Sequence, residues 1–475
     1  MSINIFQAEA KQKYLKDLLD KGQALQREGK TLEAEALYTG VLNDFPHDLN
    51  ALFMMASCFQ QQGKNGLAIA LYTKLQQFLP NTSAIYNNLG GCYHQENFDN
   101  EAYQSYKMAE RLTNGKDLDV LSNLGGMFVN VGEPEKAEKI FKRLFEISKD
   151  HGSSKWNYSL VCLEQDRFAE GFDYYEAGLK TKDRKYKDYK LPEWDGSYCD
   201  SIVVCGEQGI GDEIMFSSIL EDLATKTKRI VYDCHPRLQE IMEKHVVALG
   251  NDYVVHPSRK EMDVEWVKDF GCQYRVNVGS LGKHFRRDIK SFDRKGKPFL
   301  LKDEARVNYW KTALNYLGTG HKVGISWFGG AKRTRSDQRS INLPDLMPLL
   351  TMPDIVWVNA QYNVGQDLLN SFYNECGIKI HHLIDEDNYF DWTMKNLACD
   401  YHISVCNSLV HTMGAYEHEV YCMTPKHVAW RYGLKEDRMV WYKSPFLIRQ
   451  KNSGDWGEVI SNTMEIVRQK HLKAA

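Results

Sequence analysis

Small residues return at fixed distances from aromatic ones along the first third of the chain. Gly22, Gly29, Ala34, Tyr38 and Pro46 form one unit, and Ala56, Gly63, Ala68, Tyr72 and Pro80 repeat it 34 residues later. Gly90, Tyr93, Ala102 and Tyr106 follow at 34, Gly125, Gly132, Ala137 and Phe141 at 35, and Ser159, Gly171 and Tyr175 at 34. This period predicts paired antiparallel helices. The small residues let the helices of a pair approach, and the aromatics fill the space between pairs. The pattern then breaks. KTKDRKYKDYKLPEWDG (180–196) is charged and lacks apolar periodicity, so it reads as a connector. Beyond it come short continuous apolar runs, as in buried parallel strands. SIVVC (201–205) is followed by GEQGIGDE, a helical pattern and RIVYDC (229–234). A second set begins at VGISW (323–327) and continues through IVWVNAQ (355–361), DYHISVCNS (400–408) and VYCMTP (420–425). This is βαβ grammar in two halves, with ligands expected at the carboxyl ends of the strands.

Composition narrows the class. The 475 residues predict roughly three domains at about 150 residues each. With 60 Lys+Arg against 63 Asp+Glu, the net charge of -3 lacks the basic excess of a general nucleic-acid binder. Hydrophobic content of 43% describes a core-forming chain rather than a disordered one. The absence of a long apolar run and of a leader pattern predicts no membrane span and a cytoplasmic protein. The 11 cysteines form no CxxC pair and read as reduced thiols.

The 34-residue units resemble the tetratricopeptide repeat, about five copies over residues 1–180. The rest resembles the glycosyltransferase-like domain found behind such repeats, similar to the heptosyltransferases and, more distantly, to O-GlcNAc transferases. PEWDG, GEQGIGDEIMFSSIL, VGISWFGG, RSINLPDLMPLL, SVCNSLVHTMGAYEHEVYCMTP, WRYG, LIRQ and GDW carry the likeness through their order. The resemblance implies an α+α/β architecture, a repeat superhelix followed by a GT-B pair of doubly wound Rossmann-like halves. Residues 181–196 would connect to an acceptor-side half at 197–300 and a nucleotide-sugar side at 301–475. It implies sugar transfer from a nucleotide-sugar to an acceptor hydroxyl or amide, inverting and metal-independent, with no cofactor beyond the co-substrate. The repeats would recruit a protein or glycan acceptor, or a partner. Two other readings stay open: a degenerate scaffold whose repeats carry the function, and a transferase acting on a modified nucleic-acid base.

Three segments carry the candidate chemistry. In GEQGIGDE the glycines Gly206, Gly209 and Gly211 permit close backbone approach at a helix start. The resemblance makes Asp212 the general base; the alternative is a helix N-cap. Glu207 is the second carboxylate, with Glu213 behind it, and Gln208 a substrate contact. In WFGGAKRTRSDQR, the cations Lys332, Arg333, Arg335 and Arg339 sit in a loop after a strand and suit a diphosphate. Trp327 and Gln361 lie at strand ends facing the same cleft, Gln361 as a reader of a base edge. In SVCNSLVHTMGA, Asn407, Ser408, His411 and Thr412 open a helix and suit phosphate or ribose. Cys406 and Asn407 stand where the related pattern has Asp and Thr, which puts donor identity in question. Asp385 and Asp387 read as helix-start acids rather than a metal motif. In the repeats, Asn88, Asn123 and Asn157 recur at one position and form a candidate amide ladder for an extended peptide.

Overall fold

In a computed structural model, residues 2–185, 187–250, 252–294, 296–330, 336–362, 364–383, 388–434 and 437–472 are described, with side chains from residue 11 onward. The chain divides into two compact units, Met1–Asn157 and Tyr158–Ala475.

The first unit is built from helix pairs: α1 (Ser2–Arg27) with α2 (Thr31–Asp44), α3 (Leu49–Gln61) with α4 (Asn65–Phe78), α5 (Ser83–Gln95) with α6 (Asp99–Leu112), and α7 (Leu118–Asn130) with α8 (Pro134–Ile147). The spacing of small and aromatic residues explains the pairing directly. A Cβ placed on Gly22 would fall 2.4 Å from the Tyr38 ring, one on Gly90 2.7 Å from Tyr106, and one on Gly125 2.6 Å from Phe141. Each aromatic ring occupies the volume that the glycine leaves empty. The turn inside each pair has a left-handed residue at the same repeat position: Gly29 (φ 77), Gly63 (φ 74), Asn97 (φ 63) and Gly132 (φ 69). Glycine and asparagine tolerate this conformation best, which is why the turn is so punctuated in sequence. Asp48 and Asp117 cap α3 and α7, accepting from Ala51 N at 2.8 Å and from Val120 N at 3.0 Å.

The boundary at 157/158 falls inside α9 (Gly152–Glu164), earlier than the expected 180, and α10 (Phe168–Tyr175) lies in the second unit. The segment read as a connector is embedded in that unit. Arg184, Tyr189 and Trp194 are buried. Trp194 N donates to Arg275 O at 2.9 Å, and Arg275 N to Pro192 O at 2.9 Å. Lys187 Nζ and Tyr189 Oη both donate to the buried Asp233 carboxylate, at 2.7 and 2.5 Å. Two of its charges, Arg184 and Lys187, are satisfied by distant partners, while others such as Lys190 and Asp188 stay exposed.

The second unit holds two parallel sheets. β1 (Cys199–Cys205), β2 (Thr227–Asp233), β3 (Val254–His256) and β4 (Tyr274–Asn277) run in the order β3-β2-β1-β4. β5 (His321–Ile325), β6 (Ile355–Asn359), β7 (Ile380–His381), β8 (Tyr401–Val405), β9 (Val420–Thr424) and β10 (Pro445–Arg449) run in the order β10-β9-β8-β5-β6-β7. Strand order reverses between β1 and β4 in one sheet and between β5 and β8 in the other. These switch points open crevices at the carboxyl ends of the strands.

Candidate functional site

The loop after β1 runs from Gly206 to Gly209 and ends on the helix Ile210–Ser217. A Cβ on Gly206 would meet the Glu213 carboxylate at 2.4 Å, so only glycine fits there. Gln208, not a glycine, takes the left-handed conformation (φ 60). Such backbone strain at a non-glycine residue has to be held by its surroundings. Gln208 Nε2 donates to Tyr175 Oη at 2.8 Å, and Arg259 Nη2 donates to Gln208 O at 2.8 Å. Arg259 also pairs with the fully buried Glu213, which accepts from His235 N at 2.8 Å. Burial pushes the Glu213 carboxyl up to about 7, against the pull of Arg259.

Glu207 is not free to act on a substrate. Arg184 Nε and Nη2 reach its two oxygens at 2.9 and 2.5 Å, and Gly279 N donates to it at 2.8 Å. Both side chains of this pair are fully buried. Glu207 therefore closes the switch point between β1 and β4 from inside.

Asp212 differs. Gly209 is the N-cap and Asp212 is the third residue of the helix, so Asp212 serves the helix end as the reaching-back acid of a capping box rather than as the N-cap itself. Asp212 Oδ2 accepts weakly from Gly209 N at 3.4 Å. Its Oδ1 is buried and takes no aligned hydrogen bond among the described residues, although Arg431 Nε lies 3.2 Å away. Burial works most strongly against the Arg431 charge, but Asp212, together with Tyr432, Tyr175 and Cys406, outweighs it and raises the guanidinium above its ordinary value.

This helix packs against the helix Ser408–Ala415 that follows β8. A Cβ on Gly211 would lie 2.9 Å from His411 Cδ2 and 3.3 Å from Ser408 Cα, so Gly211 serves helix contact. His411 is buried with Nδ1 3.4 Å from Tyr442 Oη. Burial first, and Arg431 second, hold its imidazole well below the usual range, so the ring is neutral.

Several residues expected to face a ligand hold the second sheet's loops instead. Gln361 Oε1 accepts from Ser326 Oγ at 2.8 Å and from Trp327 N and Phe328 N at 3.0 Å each. Its Nε2 donates to Tyr362 O at 3.1 Å, so the buried amide reads its own loop rather than a base edge. Asn407 caps the Ser408–Ala415 helix, accepting from Leu409 N at 3.0 Å. Its Nδ2 donates to Ser326 Oγ at 2.6 Å and Phe328 O at 3.2 Å, bridging the ends of β8 and β5. Thr412 Oγ1 donates to Ser408 O at 2.9 Å and lies 2.7 Å from Tyr389 Oη. Trp327 is buried in the second sheet's core, not turned to the cleft.

Arg339 Nε donates to Gly329 O at 3.1 Å. Lys332, Arg333, Arg335, Asp385 and Asp387 lie outside the described residues. In the repeats, Asn88 Nδ2 donates to Tyr72 Oη at 2.9 Å and thus braces the preceding repeat. Asn123 is exposed and donates to Asn87 Oδ1 at 3.1 Å, and a Cβ on Gly126 would lie 3.2 Å from Asn157 Nδ2.

Two residues with no assigned role in sequence join the site. Arg431 belongs to WRYG and Arg449 to LIRQ. Arg449 Nη2 donates to Tyr432 O at 2.8 Å, beside Arg431. With Arg339 they surround the buried Cys406, whose Sγ is 3.8 Å from Cys422 Sγ. Burial opposes ionisation of Cys406, but the neighbouring thiol and the three arginines outweigh it and hold the thiol below its ordinary value. The only advance signal for these arginines was their place in WRYG and LIRQ, the one after a strand and the other at a strand's end.

Among the described residues, no three His, Cys, Asp or Glu side chains group as a metal site, and no helix is long and apolar enough to cross a membrane. A tetratricopeptide-repeat family matches residues 19–81, and the N-terminal helical region carries these repeats. The chain is 23% identical over 323 residues to Protein FlbA of Caulobacter vibrioides, covering 65% of this chain and 54% of FlbA. It thus spans about half the length of that curated relative. Among solved structures, PilF of Pseudomonas aeruginosa is 20% identical and covers 36% of this chain and 78% of its own, with a TM-score of 0.33. A thermophilic tetratricopeptide-repeat protein of Thermus thermophilus is 21% identical and covers 35% of this chain and 90% of its own, with a TM-score of 0.32.

Proposed function

We propose that the second unit is a GT-B glycosyltransferase and that the repeats recruit its protein or glycan acceptor. The observation that carries this reading is the meeting of Asp212, from the first sheet, with Arg431, from the second, at 3.2 Å beside two switch points. Sugar transfer needs a base for the acceptor hydroxyl and cations for the leaving diphosphate. Asp212 accepts the hydroxyl proton as the acceptor oxygen attacks the sugar's anomeric carbon. Arg339, Arg431 and Arg449 take the charge that develops on the departing nucleotide. Neutral His411 adds no charge to that balance, and Gly211 sets how closely the two helices stand. The ligand-binding roles expected of Gln361 and Asn407 pass to these arginines.

The test is a thermal-shift panel of nucleoside diphosphates and nucleotide-sugars, followed by turnover with the best binder. A donor present at 100 times its dissociation constant adds about 2.7 kcal/mol of stability. Asp212→Asn then lowers turnover about 100- to 10,000-fold. A fully active Asp212→Asn protein removes Asp212 from the mechanism.

One observation favours a second reading, a protein-interaction module with a scaffold at its C-terminal side. The amides of Gln361 and Asn407 are spent within the chain, and Cys406 stands where the resembling pattern has a carboxylate. Failure of every nucleotide in the panel to bind would establish that reading.

A further inference from the structure

Asp212 and Arg431 make an unusual pair. An ion pair built for stability is aligned, as Arg184 with Glu207 is through two guanidinium nitrogens. Here a single Nε approaches Oδ1 at 3.2 Å, and the buried oxygen takes no aligned hydrogen bond among the described residues. Oδ1 is an acceptor that the fold leaves incompletely satisfied, which costs free energy. Arg431 also stands among like charges. Gly329, whose carbonyl accepts from Arg339, lies against Cys406 and Asn407: a Cβ there would sit 2.5 Å from Asn407 Cβ and 3.1 Å from Cys406 O. Arg449 is tied to Tyr432, the residue after Arg431. Three guanidiniums thus converge on the carboxyl ends of β8 and β10, and Asp212 is the carboxylate paired to Arg431.

We infer that Arg431 is shared between Asp212 and a bound diphosphate, so that filling the arginine cluster draws the guanidinium away and releases Asp212 to accept a proton. This rests on the glycosyltransferase reading and adds a regulation to it. An arginine fork bonds phosphate oxygens through paired N–H groups more strongly than it holds a carboxylate through one misaligned contact. Before the donor binds, Arg431 Nε occupies Asp212 Oδ1 at 3.2 Å. After it binds, the same arginine serves the leaving group and the carboxylate is freed. The exchange orders the reaction, donor first and acceptor deprotonation second. Asp212 and the diphosphate therefore compete for one cation, and each weakens the other's hold on it.

The probe is inorganic pyrophosphate, titrated calorimetrically into the full chain. Asp212→Asn removes the competing charge and keeps the shape, so pyrophosphate binds about tenfold tighter than to the wild type. Arg431→Gln weakens binding at least tenfold, and adding Asp212→Asn to it changes nothing further. Unchanged or weaker binding by Asp212→Asn overturns the exchange, as does unchanged binding by Arg431→Gln. Should a variant fail to fold, the wild type gives the same answer. Its Arg431 Nε–H resonance, assigned through Arg431→Lys, shifts on adding pyrophosphate, and a stationary resonance overturns the inference. If nucleoside diphosphates stabilise the wild type while Asp212→Asn binds pyrophosphate no more tightly, the exchange fails and the glycosyltransferase reading stands. If neither pyrophosphate nor any nucleoside diphosphate binds, both fail.

Discussion

The two strand-to-helix junctions of the second unit look alike in sequence and behave differently. Each follows a central parallel strand, carries polar residues in a tight loop and starts a helix. After β1 the loop's inner carboxylates, Glu207 and Glu213, are buried against Arg184 and Arg259, and Asp212 alone reaches across to the other half. After β6 and β8 the inner groups are amides, Gln361 and Asn407, and they tie the loop after β5 with neutral hydrogen bonds. Bracing a loop with charge costs desolvation that only a complete set of partners offsets. Bracing it with amides costs less and leaves the surrounding arginines their charge. At both junctions the innermost polar residue holds the loop, and Asp212 and the arginines stand one layer further out.

The largest effect that sharpens this contrast is on the charged brace. Arg184→Leu leaves Glu207 buried without its partner and costs about 3–5 kcal/mol, read from the chemical unfolding of the second unit; adding Glu207→Gln recovers much of the loss. A silent Arg184→Leu would mean that the first junction is not held by charge.

A comparable effect comes from pH. The Glu213 carboxyl is raised to about 7 in the folded chain from an ordinary value of 4.5. Between these values the native state binds a proton that the unfolded state has lost. Stability from this group is therefore full below about 4.5, falls as pH rises towards 7 and is level above it, by about 3 kcal/mol in all. Unfolding from pH 4.5 to 8 in wild type and Glu213→Gln checks it, and the variant lacks this slope. The amides of the other junction do not titrate and add no such slope, while the neutral His411 beside them contributes one of opposite sign, stability rising with pH towards about 6.5.

At the neutral brace the effect is smaller. Gln361→Ala strips a shared acceptor from Ser326, Trp327 and Phe328 and costs about 1–3 kcal/mol. Amide hydrogen exchange at Trp327 and Phe328 rises with it, and unchanged protection would show that other groups hold this loop. Least of all is Gly209→Ser. The Gly209 backbone is extended (φ -84, ψ 169), as a serine N-cap requires, so the melting temperature moves by the equivalent of a few tenths of a kcal/mol.

What was legible in advance follows the distance over which each cause acts. The repeat pairs were readable because Gly22 with Tyr38, and Gly125 with Phe141, lie sixteen residues apart within one helical hairpin. The strands at 201–205 and 355–361 were readable because strands buried on both faces are continuous apolar runs. The ends of those strands were correctly marked as places of interest, yet residue roles there were not readable. Gln361 and Asn407 have the donors and acceptors of ligand-binding amides, and nothing local tells that Ser326 and Phe328 already satisfy them. The charged stretch at 181–196 has the composition of a linker, yet it is anchored to the unit because Glu207 and Asp233 wait for Arg184, Lys187 and Tyr189.

The sequence by itself determined the local periods of this protein: helix pairs closed by a left-handed residue, parallel strands, and glycines where a Cβ has no room. These depend on sterics and hydrophobic spacing between near neighbours, which the order of residues contains. Only the tertiary structure decided which polar groups are spent and which are left. A buried charge or amide is settled by whatever partner the fold brings to it, and for Asp212 that partner, Arg431, comes from the far end of the chain.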